Sequence, residues 1–163
     1  MNSFSQSLLV LAVVATSSLV LLSTAYPSGA PKCSSLIPKH AKNKEQTGTA
    51  PYKLTTSGVS KDKDGKSTVT VTLSGLNNAK FKGFIVFATA VDSNDKIGKF
   101  TKADKTTLVS CGSSNAITHS NNTDKNKVTF TWTAPDNHKG NVEFKATVVK
   151  EFKEFWSGIK SPK

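Results

Sequence analysis

An all-β antiparallel sandwich preceded by an irregular amino-terminal arm is the fold this sequence predicts, on three observations. Residues 67–74 and 128–134 alternate strictly between apolar and hydroxyl-bearing or other polar side chains. Short apolar runs are separated by clusters of turn-forming residues, and no segment carries a convincing amphipathic helical repeat. Alternation at period two sends successive side chains to opposite faces of a strand, whereas a surface helix needs a period near 3.6.

The chain begins with 25 residues free of charge, in which Leu8–Val14 and Leu19–Leu22 flank a Thr16-Ser17-Ser18 interruption. Ser23 and Ala25 stand at the small positions that a signal peptidase reads. A signal peptide over 1–25 is therefore predicted, although its start lacks the usual Lys or Arg. The interruption keeps the apolar core below the roughly 20 residues needed to span a bilayer. Residues 26–163 are then one domain, secreted and extracellular, with peripheral membrane contact at most.

Residues 27–51 mix Pro, Ser, Gly and Lys without periodicity and predict an irregular arm pinned by Cys33. In 67–74, Val69, Val71 and Leu73 face one side and Thr68, Thr70 and Thr72 the other, after a Lys61-Asp62-Lys63-Asp64-Gly65 turn. The nearly continuous apolar run 81–91 reads as a central strand buried on both faces, with Gly83 marking a bulge. Asp92-Ser93-Asn94-Asp95 supplies a turn. Short strands follow over 108–111 and 116–119. In 128–134, Val128, Phe130, Trp132 and Ala134 point inward; Val142, Phe144, Ala146 and Val148 do so in the next strand, and the two are expected to form a hairpin. Phe152, Phe155, Trp156 and Ile159 match helical spacing, but so short a segment close behind a strand is read as a final strand through Trp156. About seven short strands at this spacing predict an immunoglobulin-like sandwich, without the tryptophan usual between paired cysteines.

Cys33 and Cys111 are the only cysteines. In an oxidising compartment two thiols predict one disulfide, and no C-x-x-C or Cys-His signature favours a zinc site or a nucleophile. All 22 basic residues are lysine, against 11 carboxylates, for a net charge of +11. Such a charge favours lipid headgroups, acidic glycans or nucleic acid. Lysine lacks the guanidinium fork that reads bases or phosphates bidentately, which argues against sequence-specific nucleic-acid binding. Contacts should be diffuse and weakened by salt.

Taken in order, several pieces of the chain resemble the reeler domain, and within it the small secreted insect defense proteins with noduler-like members. They are residues 26–31 leading to Cys33, Pro38-Lys39-His40, Pro51-Tyr52, Phe81-Lys82-Gly83-Phe84, Gly98-Lys99-Phe100, Cys111, Thr118-His119-Ser120, residues 130–135 around Trp132, and residues 144–148 leading to Phe155-Trp156. Ile37 departs from the methionine common before the proline. The resemblance implies an immunoglobulin-like sandwich, a Cys33–Cys111 disulfide, and an extracellular role in innate immunity through binding of microbial surface components. The same domain occurs in neuronal matrix proteins and membrane-bound reductases. Their haem-binding helical bundle has no counterpart in these residues, so electron transfer is not expected.

Asn121-Asn122-Thr123 is an N-x-T sequon and makes Asn121 the candidate glycosylation site. Lys96, Lys99, Lys102 and Lys105 form the densest run of spaced cations, and Lys39, Lys42 and Lys44 a second group; these are the candidate anion contacts. His40 and His119 each follow a cysteine at similar distance, and a disulfide would draw them together as weak metal candidates, though structural histidines are the commoner outcome. His138 is expected to be exposed. Asp62-x-Asp64-Gly65 resembles the start of a calcium loop, but Lys66 and the missing glutamate favour a turn. Without a G-x-S-x-G elbow, P-loop or H-E-x-x-H pair, neither enzyme activity nor a cofactor is expected. The leading expectation is a secreted immune protein that adheres to anionic microbial envelope material such as lipopolysaccharide. The alternative is a matrix or developmental adhesion module for sulfated glycans or a host protein. A membrane-disrupting peptide is disfavoured, because no cationic amphipathic helix is present.

Overall fold

The computed structural model describes residues 26–33, 37–38 and 43–162; the predicted signal peptide, Lys39, His40 and Lys42 lie outside them. These residues form ten strands: β1 Tyr52–Thr56, β2 Ser60–Lys61, β3 Ser67–Gly75, β4 Gly83–Ala90, β5 Lys99–Phe100, β6 Thr106–Cys111, β7 Ser114–His119, β8 Lys127–Thr133, β9 Val142–Glu151 and β10 Glu154–Lys160. The first sheet runs β1-β3-β8-β5, with β2 also on β3, and the second runs β10-β9-β4-β7-β6. Every pairing is antiparallel.

The alternation seen in the sequence becomes the core. Val71 and Leu73 from β3 and Phe130 and Trp132 from β8 meet Phe84, Val86, Phe144 and Val148 from the second sheet. Burying a side chain of this size contributes about 1.5–3 kcal/mol. Ring contacts lock the two layers: Trp132 stands edge-on to Phe144 with centroids 5.4 Å apart, and Phe130 stacks on Phe84 at 6.2 Å.

The expected hairpin between 128–134 and 142–148 does not form. β8 lies in the first sheet and β9 in the second, so residues 134–141 cross between layers. Both strands carry the right inward face, but they contribute it from opposite sides of the core. β9 pairs instead with β4, along the whole length of β4, from Gly83↔Val149 to Ala90↔Val142. The register ends at Gly83: Lys82 N–H also donates to the carbonyl of Val149, the residue opposite Gly83, so two residues face one there, as the expected bulge requires. Gly83 serves a close approach: a methyl at its position would sit 3.0 Å from the His119 ring. The final strand continues past Trp156 to Lys160, with register shifts at Glu154/Phe155 and Trp156/Ile159 that keep both Trp156 and Ile159 against the core.

β4 is buried on both faces for a specific reason. Its inner side chains enter the main core, while Ile85 and Phe87 on the outer face pack with Ala116, Ala30 and Cys33 in a second cluster. The arm supplies that outer cover. Residues 43–46 also shield the exposed edge of β10: the Asn43 amide donates to the Phe152 carbonyl, Gln46 N–H to the Phe155 carbonyl, and Glu45 accepts from Ser157 N–H and hydroxyl. An uncovered edge strand would offer free backbone groups to other chains.

Candidate functional site

Two regions carry polar side chains in unusual arrangement. The first is the seat of the arm. Cys33 and Cys111 are joined, with Cα atoms 5.5 Å apart, and the bridge fastens the arm to the outer face of the second sheet. This differs from the inter-sheet bridge of antibody domains. Ala30 N–H donates to the Thr118 hydroxyl, which itself donates to the Phe84 carbonyl. His119 Nδ1 accepts the Phe84 N–H at 3.1 Å, which leaves the ring proton on Nε2, where it is donated to the Tyr26 carbonyl at 3.1 Å. Gly29 has φ +121°, and a methyl there would press to 2.7 Å from the His119 carbonyl oxygen. Only glycine lets the turn lie so flat on β7.

Both His119 nitrogens are thus engaged with backbone. The predicted approach of His40 involves a residue outside the described ones, and among the described residues no three His, Cys, Asp or Glu side chains are grouped to hold a metal. Burial depresses the His119 pKa below the usual histidine value; the Phe84 and Tyr26 carbonyls, which can accept from the protonated ring, oppose this, and the Lys125 ammonium reinforces it. The unfolded chain takes up a proton near pH 6.5, whereas the folded protein resists protonation until lower pH. Stability from this residue is complete above about pH 6.5 and declines as the pH falls below it. The melting temperature of the wild type should therefore drop more than that of His119→Gln between about pH 7.5 and 5.5. Parallel curves would show that the histidine proton is not linked to folding.

Next to this latch, Lys125 is only 6% exposed. Its ammonium donates to three carbonyls, of Lys82 (3.0 Å), Asn121 (2.8 Å) and Thr123 (2.7 Å), which satisfies all three of its protons. Burial lowers its pKa, with Lys105 adding to the effect and Asp124 opposing it. The staple shapes the sequon loop, in which the Asn121 side-chain oxygen accepts from Thr123 N–H and hydroxyl. Nothing in the sequence marks Lys125, since burial of a lysine is invisible until three carbonyls converge on it.

The second region is the outer face of the first sheet. Reading across strands, its rows are Lys53–Ser74–Lys127, then Thr55–Thr72–Thr129, then Thr70–Thr131, then Thr68–Thr133–Lys99. Hydroxyl residues fill the middle and lysines close both ends. Thr72 and Thr129 hydroxyls are hydrogen-bonded at 3.1 Å. No carboxylate belongs to any of these rows. Among the described residues the ion pairs involve Lys66, Lys80, Lys82, Lys145, Lys150 and Lys160, and none involves Lys53, Lys99 or Lys127.

The sequence-predicted lysines are dispersed by the fold. Lys96 extends over the Phe87 ring at 5.1 Å, on the outer face of the second sheet. Lys99 lies on the first sheet, while Lys102 and Lys105 occupy the connection between β5 and β6. The four do not form one patch. Lys44 is exposed beside Glu45, and Lys39 and Lys42 lie outside the described residues. His138, expected in solvent, is half-buried with its Nε2 shielded and unpaired, and the Pro135–Gly140 loop folds back upon it.

Two antiparallel sheets with a core between them, and a disulfide-fastened arm over one outer face, define an immunoglobulin-like sandwich. The Reeler domain family model matches residues 31–163, and the chain belongs to that family. It is 40% identical over 154 residues to "Putative defense protein 3" of Antheraea mylitta, covering 91% of each chain. It is 41% identical over 160 residues to "Putative defense protein Hdd11-like" of Samia ricini, covering 91% of this chain and 92% of that one. Ferric-chelate reductase 1 of Mus musculus is 33% identical over 147 residues, but these are only 24% of that protein. The human F-spondin reeler domain superposes with a TM-score of 0.58 at 22% identity, covering 74% of this chain and 91% of that one, a likeness of fold. Among the described residues no helix is long and apolar enough to cross a membrane.

Proposed function

We propose that this chain is a secreted defense protein that works by binding, holding anionic material of microbial envelopes through exposed lysines. The observation that carries the reading is the excess of lysine charge, +11 over the whole chain, with ion pairs among the described residues made by Lys66, Lys80, Lys82, Lys145, Lys150 and Lys160. Relatives of matching length are named as defense proteins, which fits this role. Ammonium groups on flexible stems give adhesion by many weak contacts rather than one deep pocket. Asn121 is the glycan acceptor in this reading, and the leader over 1–25 directs secretion.

Purified mature protein should bind lipopolysaccharide or peptidoglycan more tightly than heparin at physiological salt. Affinity should fall steadily along a salt series, because exposed charges are screened within about 8 Å at 0.15 M ionic strength. Preference for heparin would move the protein to host sulfated glycans. Absence of binding to all three would remove the basis of the reading.

A further inference from the structure

We propose that the outer face of the first sheet is the contact surface, and that its ligand is an extended acidic polysaccharide lying along the hydroxyl rows. This rests on the anionic-envelope reading and names the surface and the ligand chemistry. Lys53 and Lys127 flank Ser74 at one end of the face, and Lys99 flanks Thr133 at the other. Six residues of β3 separate those ends, about 20 Å at the rise of an antiparallel strand. Between them Thr70 and Thr131 stand opposite each other, both exposed.

A strip of hydroxyls bounded by ammonium groups complements a chain of sugars bearing acidic groups. Sugar hydroxyls exchange hydrogen bonds with threonine, and the acidic groups reach the lysines. Other occupants fit worse. The rows present no aromatic ring on which a nucleic-acid base could stack and no large apolar side chain to enter a bilayer. A second copy docked face to face would oppose like charges across a surface without carboxylates.

The test uses full mature protein and four probes: alginate as an acidic polysaccharide, dextran as a neutral one, phosphatidylglycerol vesicles, and lipopolysaccharide. Alginate should bind and dextran should not. Replacing Lys53, Lys99 and Lys127 together by Gln should weaken alginate binding about tenfold, since three exposed ion pairs, each weak, are lost at once. Replacing Lys44, Lys102 and Lys105 by Gln removes equal charge elsewhere and should change it about twofold or less. Thr131→Glu, which sets a carboxylate in mid-strip, should weaken it as well without touching a lysine. Equal losses in the two triple variants would overturn the assignment of this face while leaving the lysine-adhesion reading intact. So would lipopolysaccharide or vesicle binding without alginate binding. If wild-type protein binds neither alginate nor lipopolysaccharide, the envelope-binding function fails with it.

Discussion

Trp132→Ala is expected to destabilise the protein by about 3–5 kcal/mol, the range for truncating a large buried aromatic side chain. Trp132 is 2% exposed, its ring meets Phe144 edge-on across the core, and its indole N–H donates to the Ile97 carbonyl at 3.1 Å. Truncation empties the space between the sheets and leaves that carbonyl unpaired. Gly98, with φ +67°, lies against the same ring so closely that a methyl there would overlap it, and so the surroundings have little freedom to collapse into the void. For a domain of this size 1 kcal/mol corresponds to about 4 °C, which places the expected loss in melting temperature on the order of 12–20 °C. A thermal melt followed by circular dichroism measures it. A drop of about 4 °C or less would mean that Trp132 does not hold the two sheets together.

Removing the disulfide has the second large effect. With the cysteines 78 positions apart in the chain, the chain-entropy model assigns about 4.5 kcal/mol to the closed loop, within the roughly 2–5 kcal/mol lost when native bridges are removed. The Cys33→Ser/Cys111→Ser variant should shift the guanidinium midpoint accordingly. The bridge also holds the arm over Ile85, Phe87 and Ala116. Without it the arm keeps the hydrogen bonds at Thr118 and His119 but no covalent hold, so the variant should bind a hydrophobic dye more strongly than the wild type while still folded. Unchanged stability with unchanged dye binding would show that noncovalent contacts alone seat the arm.

These two residue sets are legible in the sequence to different degrees. The pairing of the cysteines follows from their number and the compartment the sequence predicts, but the surface the bridge protects does not. Trp132 reads as inward from its place in Val128-x-Phe130-x-Trp132, yet its partner across the core stays hidden, because a strand's period states only which face is buried. The threonines of β3 and β8 likewise read as outward. That they align row by row depends on the β3–β8 register, Thr68↔Thr133 to Thr72↔Thr129, between segments some 60 residues apart.

Local chemistry therefore determined what each segment is. Period-two alternation made strands, Asp62-x-Asp64-Gly65 made a turn whose Asp62 carboxylate accepts from Asp64 and Lys66 N–H, and the excess of lysine set the charge. Tertiary structure alone decided which strands are neighbours. It sent β9 to the opposite layer from β8, divided Lys96 from Lys99, buried Lys125 among three carbonyls and brought His119 to Tyr26. The reason is energetic: a short connection closes with similar entropy whether it returns to the same sheet or crosses to the other, and the choice falls to packing between side chains remote in sequence.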